Sequence, residues 1–108
     1  MNKTLYFASS ILILLTLTTS VHAETLTVLQ QDKQFSPATL KIKVGDSVNF
    51  KNEDDFYHNV FSLSDAKNFD LGSFPKGQFK TVVFDKAGKV EVECSIHPDM
   101  RMVIEVTK

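Results

Sequence analysis

The chain has 108 residues, with 12 basic and 13 acidic side chains and a formal net charge of −1. This length allows one domain, and the nearly neutral balance excludes the strongly basic surface of a nucleic-acid-binding protein. The sequence contains one cysteine, three histidines and three methionines. A single thiol cannot form an internal disulfide, so it indicates pairing between chains, reactivity or a metal.

Residues 1–23 have the three-part pattern of a secretory signal peptide. Lys3 gives a positive start, residues 5–17 are almost entirely apolar, and small side chains lead up to Ala23. The apolar run is shorter than the about 20 residues that a membrane-spanning helix needs. We therefore expect cleavage after Ala23, which leaves a domain of residues 24–108 in the periplasm with no membrane anchor.

The rest of the chain shows the two-residue alternation of β-strands. The alternation is clearest where Leu40, Ile42 and Val44 share one face and lysines occupy the other. Turn signals, such as the Gly-Asp pair at 45–46, separate the segments. In chain order the predicted strands are residues 25–30, 39–44, 47–51, 58–63, 79–84, 89–94 and 102–107.

Residues 64–76 lack this alternation. Asp65, Gly72 and Pro75 favour a long loop, with one helical turn near 64–68. About seven short strands with frequent turn signals are typical of a β-sandwich or a small barrel. We therefore predict an all-β domain whose core is supplied mostly by phenylalanine.

Metal-binding side chains concentrate near the end of the chain, in the segment CSIHPDMRM. Outside the signal segment, the candidate ligands are His58, Cys94, His97, Met100 and Met102. Two imidazoles, one thiolate and a weak thioether form the ligand set of a blue-copper electron-transfer site. Cys94 ends a predicted strand, and the loop after it can direct His97 and a methionine toward the same point. His58 comes from a distant strand, so a metal would tie two parts of the domain together.

Two segments resemble the cupredoxins, the small blue copper proteins that include plastocyanin, pseudoazurin and amicyanin. They are residues 35–60, FSPATLKIKVGDSVNFKNEDDFYHNV, and residues 84–100, FDKAGKVEVECSIHPDM. The resemblance implies a cupredoxin-like Greek-key β-sandwich or barrel of seven or eight strands. It also implies one type 1 copper ion that alternates between Cu(I) and Cu(II), in a monomeric electron carrier that is not an enzyme.

The resemblance also implies a role for each residue. His58 corresponds to the more buried imidazole ligand and Cys94 to the thiolate. His97 corresponds to the second imidazole, near the surface, where redox partners such as a cytochrome or a dehydrogenase are expected to dock. Asn59 corresponds to a residue that braces the ligand loop by bonding Ser95, and such bonds orient ligands and tune the metal.

Two methionines compete for the axial position. Met100 lies six residues after Cys94, as in the short loop of amicyanin, and Met102 lies eight residues after it, as in plastocyanin. The His-Pro step favours the short loop. The last strand favours it too, because Ile104 and Val106 then follow Met100 as inward apolar residues. We expect Met100 to be the axial ligand and Met102 to pack in the strand.

Other functions are compatible with the same residues. A copper-handling protein would bind the ion for delivery or buffering, and Met102 is a further soft donor beside the four expected ligands. Cys94 and His97 could form the nucleophile–base pair of an enzyme, although no orienting third residue is evident in the sequence. Zinc also binds cysteine and histidine, but a methionine ligand argues against zinc.

The neighbours of these candidates have alternative interpretations. Phe56, Ile96 and Pro98 form either an apolar docking rim near the second histidine or ordinary packing. Asp54 and Asp55 either attract a basic partner or lie in an ordinary solvated loop, and the solvated loop is the simpler interpretation.

Overall fold

The computed structural model describes residues 3–4, 8–17 and 22–108. The predicted signal segment, residues 1–23, therefore lies partly outside the described residues. Within the described ranges, no helix is long and apolar enough to cross a bilayer. The same ranges contain nine β-strands: β1 (Thr25–Gln31), β2 (Gln34–Ser36), β3 (Thr39–Lys43), β4 (Ser47–Asn52), β5 (His58–Ser64), β6 (Lys67–Phe74), β7 (Phe79–Val83), β8 (Gly88–Glu93) and β9 (Arg101–Thr107).

The strands form a sandwich of two sheets. One sheet has the order β2-β1-β4-β7 and the other has the order β3-β9-β8-β5-β6. β1 pairs with β4 and β3 pairs with β9 in parallel, whereas the other neighbours pair antiparallel. Strands that follow each other in sequence, such as β3 and β4, often lie in different sheets. The all-β class predicted from the sequence is thereby confirmed.

The alternation of side chains determines what fills the space between the sheets. In β9, Met102, Ile104 and Val106 are buried, whereas Arg101 and Glu105 are exposed. Burial of such aliphatic and aromatic side chains is the main favourable term in folding. The prediction that phenylalanine supplies most of the core is wrong, because valine is the more frequent buried residue. The buried apolar residues are Val28, Phe35, Ile42, Val48, Phe50, Val60, Phe74, Val82, Phe84, Val90, Val92, Cys94, Met100, Met102, Ile104 and Val106.

One segment departs from the sequence prediction. Residues 64–76, predicted as a loop with a helical turn near 64–68, instead contain β6, which follows β5 after a two-residue turn. β6 lies at a sheet edge, and its Asn, Asp and Gly residues are depleted in strands generally. Phe69 and Leu71 nevertheless pack against the core. With the short β2, the described chain has nine strands instead of seven or eight.

The five-stranded sheet brings distant parts of the chain together at one end of the sandwich. β8 lies between β5 and β9, and Glu93 pairs with Phe61 of β5 and with Arg101 of β9. The start of β5, at His58, therefore lies beside the segment that follows β8. A register shift between Asn59 and Phe61 interrupts the pairing there, and such bulges commonly re-aim side chains near functional sites.

A buried carboxylate closes the turn between β3 and β4. Asp46 is 6% exposed. Its Oδ2 accepts the N–H of Lys43 at 2.8 Å and its Oδ1 accepts the N–H of Glu24 at 2.9 Å. The bond from Glu24, followed by the bond from Lys43, lowers the pKa of Asp46 below its usual value. Because folding favours the ionised form, Asp46 stabilises the fold above the pKa of the unfolded carboxyl and loses this effect as the pH falls.

The variant Asp46→Asn tests this contribution. We expect the free energy of unfolding of the wild type to exceed that of the variant by its full amount at about pH 6. This difference should shrink below about pH 4, where the unfolded carboxyl protonates. Urea denaturation of both proteins across this pH range measures the difference. A difference that does not change with pH would contradict the stabilising role of the ionised Asp46 carboxylate.

Gly88 and Gly77 form a matched pair for testing the packing of the β5–β6 turn. Their φ angles are +147° and +85°, a region that side chains rarely adopt. A Cβ on Gly88 would lie 2.8 Å from the Cβ of Ala66, whereas a Cβ on Gly77 would meet open space. We expect Gly88→Ala to cost about 1–3 kcal/mol more than Gly77→Ala in urea denaturation, and Ala66→Gly to relieve part of that cost. Equal costs at the two glycines would argue against this close contact.

Candidate metal centre

Three side chains that the sequence singled out converge at one end of the sandwich. One ligand atom from each of His58, Cys94 and His97 lies within 4.8 Å of the other two. The Sγ of Cys94 is 3.9 Å from the Nδ1 of His58 and 4.0 Å from the Nδ1 of His97. Both imidazoles therefore turn the same ring nitrogen toward the thiol.

The loop that carries Cys94 and His97 is closed by its own backbone. The N–H of Met100 donates to the carbonyl of His97 at 2.9 Å, and the N–H of Cys94 donates to the carbonyl of Met100 at 3.3 Å. β8 and β9 remain paired up to Glu93 and Arg101. Because the strands hold both ends of this short loop, His97 stays close to Cys94.

Exposure increases from the first histidine to the second. His58 is 0% exposed and Cys94 is 1% exposed, whereas His97 is half-buried. Burial, followed by the neighbouring His58, lowers the pKa of His97 below its usual value. The imidazole of His97 is therefore neutral near pH 7, which is the form that offers a lone pair to a metal.

Phe56 packs against both histidines. Its ring lies edge-on to His58, with centroids 5.1 Å apart, and 5.3 Å from the ring of His97. Phe56, Ile96 and Pro98, which the sequence suggested as an apolar rim, are all exposed. The side chains of this rim are therefore available to a partner at the end where His97 lies.

Asn59 fastens the ligand loop to β5. Its Oδ1 accepts the N–H of Ser95 at 2.7 Å, and its Nδ2 donates to the Oγ of Ser95 at 2.5 Å. The contact expected between these two residues is thus present. The backbone carbonyl of Asn59 also accepts a hydrogen bond from the side-chain Nε2 of the buried Gln30 at 3.3 Å. Because Gln30 lies in β1, Asn59 has contacts with both sheets of the sandwich.

Asp54 is the residue near the cluster whose role the sequence did not reveal. The expectation of a solvated loop is wrong for Asp54, which is 8% exposed, although Asp55 is exposed. The Oδ2 of Asp54 lies 2.7 Å from the Nε2 of His58. Its Oδ1 accepts the N–H of Asp32 at 2.8 Å, and its Oδ2 accepts the N–H of Lys33 at 3.0 Å.

The surroundings of Asp54 favour its ionised form. Burial raises the pKa of Asp54, but the hydrogen bond from His58 and those from the two backbone N–H groups outweigh burial, so the pKa lies below its usual value. The fully buried Asn52 shapes this segment: its Oδ1 accepts the N–H of Asp54 at 2.8 Å, and its Nδ2 donates to the carbonyls of Phe56 and Phe74 at 2.9 Å.

The two methionines are both buried but lie in different elements. Met100 is the last residue of the loop, immediately before β9. Met102 lies within β9, opposite Val92, where it belongs to the apolar core. The position of Met102 agrees with packing, and the axial role of Met100 stays a prediction.

The donor set suits a copper ion. In zinc sites, metal–thiolate and metal–imidazole bonds are about 2.3 and 2.0 Å long. Their sum slightly exceeds the observed S···N separations of 3.9 and 4.0 Å, so an ion can lie within bonding distance of the Sγ of Cys94 and of either imidazole nitrogen. A buried methionine at the end of the same loop offers the thioether that distinguishes a copper set from a zinc set.

Comparisons with known sequences agree with this chemistry. Residues 22–107 match the family model for copper binding proteins of the plastocyanin/azurin family. Over 68 residues the chain is 40% identical to the methylamine utilization protein MauL of Methylorubrum extorquens. The alignment covers 62% of this chain and 60% of the relative. The chain thus spans less than two thirds of the length of that relative.

Solved structures show the same fold. The Cu(I) form of an amicyanin mutant superposes with a TM-score of 0.72 and 26% identity, covering 80% of this chain and 85% of that chain. The Cu-containing nitrite reductase NirK of Thermus scotoductus SA-01 gives a TM-score of 0.72 and 30% identity, covering 77% of this chain but 22% of that chain. The expected cupredoxin-like fold and the expected copper cofactor are thereby confirmed. The chain belongs to the plastocyanin/azurin family of copper-binding proteins.

Proposed function

We propose that this chain is a one-electron carrier whose single copper ion is held by His58, Cys94 and His97, with Met100 as a weak axial ligand. The observation that supports this most strongly is the convergence of one thiol and two imidazole nitrogens at a largely buried point. When bound, copper supplies the one-electron couple between Cu(I) and Cu(II).

In this function, the protein holds the side chains that bind copper in fixed positions. His58 is held from behind by Asp54. Asn59 ties Ser95, on the ligand loop, to β5. Partners of this kind orient metal ligands and are needed for normal affinity and activity. Ligands that are fixed before the metal changes charge need little rearrangement, which favours fast electron transfer.

We propose that redox partners, such as a cytochrome or a dehydrogenase, dock at the end of the sandwich around His97. This histidine is more exposed than His58, and its ring contacts Phe56. The exposed side chains of Phe56, Ile96 and Pro98 provide an apolar contact surface beside it. All four proposed ligands come from one chain, so a monomer can carry out this function.

The burial of the thiol favours a carrier over an enzyme. Cys94 is 1% exposed, so it cannot act with His97 as a nucleophile on an external substrate. The same burial disfavours a role in copper delivery. An ion that is passed to a partner needs ligands that the partner can reach, and both His58 and Cys94 are enclosed.

We further propose that residues 1–23 are removed and that the protein acts in the periplasm. The positive start, the short apolar run and the small side chains before residue 24 support this. The nitrogen of Glu24 lies 2.9 Å from Oδ1 of Asp46. Cleavage after Ala23 would convert that nitrogen into a charged α-amino group, for which the Asp46 carboxylate is a suitable partner.

The variant Cys94→Ser tests the electron-carrier proposal. The protein is expressed with residues 1–23, recovered from a periplasmic extract and incubated with Cu(II). We expect a strong thiolate-to-copper charge-transfer band in the visible spectrum of the wild type, a reversible one-electron response in voltammetry, and a mass that begins at Glu24. The band should be absent from Cys94→Ser, because serine supplies no thiolate.

Ser95→Ala is the matched control for this experiment. It changes the exposed neighbour of Cys94 but keeps the backbone N–H that bonds Asn59, so the band should remain. A wild type that binds copper without colour would contradict the electron-carrier proposal and favour copper handling. A mass that retains residues 1–23 would contradict the proposed processing alone.

Two further variants distinguish the methionines. Met100→Leu and Met102→Leu both conserve volume, so each should cost less than about 1.5 kcal/mol in the free energy of unfolding. Only Met100→Leu should shift the reduction potential and the charge-transfer band, because only Met100 is proposed to bind the metal. If Met102→Leu alone changes these properties, the axial ligand is Met102.

A further inference from the structure

Asp54 is a nearly buried carboxylate, 8% exposed, beside a proposed copper ligand. Three hydrogen-bond donors surround it within the described residues: the N–H of Asp32 at 2.8 Å, the N–H of Lys33 at 3.0 Å and the ring of His58 at 2.7 Å. Both carboxylate oxygens are engaged, Oδ1 by Asp32 and Oδ2 by the other two groups. Asp54 therefore acts as a hydrogen-bond acceptor for three groups, and one of these donors belongs to a proposed copper ligand.

This geometry determines the tautomer of His58. A backbone N–H can only donate, so Asp54 accepts at both of its oxygens, and Oδ2, which already accepts the N–H of Lys33, is the acceptor that faces the ring. The Nε2 of His58 must then carry the hydrogen that bridges to Asp54. In a neutral imidazole this leaves Nδ1 with a free lone pair, and Nδ1 is the atom that lies 3.9 Å from the Sγ of Cys94.

We infer that Asp54 is a positioning residue for the copper site: it fixes the tautomer and orientation of His58 and, through its negative charge, favours Cu(II) over Cu(I). This inference rests on the proposed binding of copper by His58. Carboxylate groups that accept the second N–H of a metal-bound histidine raise the basicity of that ligand. A nearby negative charge stabilises the more positive oxidation state, and the effect is larger where water is excluded.

Asp54 also has a purely structural role, which an experiment must separate from the electronic one. Asp32 and Lys33 have φ angles of 55° and 57°, an uncommon conformation for residues other than glycine. By accepting both of their N–H groups, Asp54 holds the tight β1–β2 turn. Loss of the side chain would therefore destabilise the fold even if it had no effect on the metal.

The chain offers two matched controls. Asp46 is also a buried aspartate whose two oxygens accept the nitrogen of Glu24 and the N–H of Lys43, and it closes the turn between β3 and β4. Asp55 is adjacent to Asp54 in sequence but is exposed, and it pairs with Lys76 at 2.9 Å. Asp46→Asn therefore reproduces the loss of a buried turn contact, and Asp55→Asn reproduces the loss of one negative charge near the site.

The first measurement is the reduction potential of the copper-loaded protein and of the three asparagine variants. For Asp54→Asn we expect the preference for Cu(II) over Cu(I) to fall at least tenfold, which raises a one-electron potential by about 59 mV. Asn keeps an acceptor oxygen for His58 but removes the charge. Asp46→Asn and Asp55→Asn should each change the preference less than about threefold. A change in Asp54→Asn no larger than in Asp55→Asn would overturn the electronic part of the inference.

The second measurement needs no copper. Nitrogen-15 NMR of the copper-free wild type reports which ring nitrogen of His58 carries the hydrogen, and we expect Nε2. A hydrogen on Nδ1 would overturn the inference, and this result is obtained even if Asp54→Asn does not fold. A wild type without a charge-transfer band refutes the proposed copper function, whereas a normal band with an unchanged potential in Asp54→Asn refutes only the role of Asp54.

Discussion

The metal centre depends on the position of β8 between β5 and β9. This pairing places the thiol of Cys94, at the end of β8, 3.9 Å from the imidazole of His58, which is 36 residues away in sequence. The pairing of the sheet therefore brings these two side chains together. Strand pairing that spans both segments fixes the separation of these side chains through the backbone of the sheet.

The same architecture gives the two histidines different environments. His58 is enclosed by the sheets, whereas His97 lies on a loop and is half-buried. The ring of Phe56 contacts both, at 5.1 and 5.3 Å, so one apolar side chain shields the inner ligand and borders the outer one. One imidazole is thus enclosed by the fold, and the other is partly accessible from outside. This difference follows from where the strands end and the loop begins.

The sequence predicted most of the strands and the three side chains of the cluster, because alternation and ligand type are local properties. It failed at β6, where Asn68, Asp70 and Gly72 obscure the alternation of an edge strand whose partner is set by the sheet. It failed also at Asp54. The burial of that carboxylate depends on donors 21 and 22 residues away, and no pattern near Asp54 distinguishes a buried carboxylate from a solvated one.

Asp46 and Asp54 make similar structural contacts in different parts of the fold. Each carboxylate accepts two backbone N–H groups, and in each case one donor lies 22 residues earlier in the chain. Each thereby ties the region of β1 to a later turn or loop. Asp54 differs in one respect, since His58 adds a third donor on Oδ2. The carboxylate that holds the β1–β2 turn therefore also contacts the histidine four residues later in the chain.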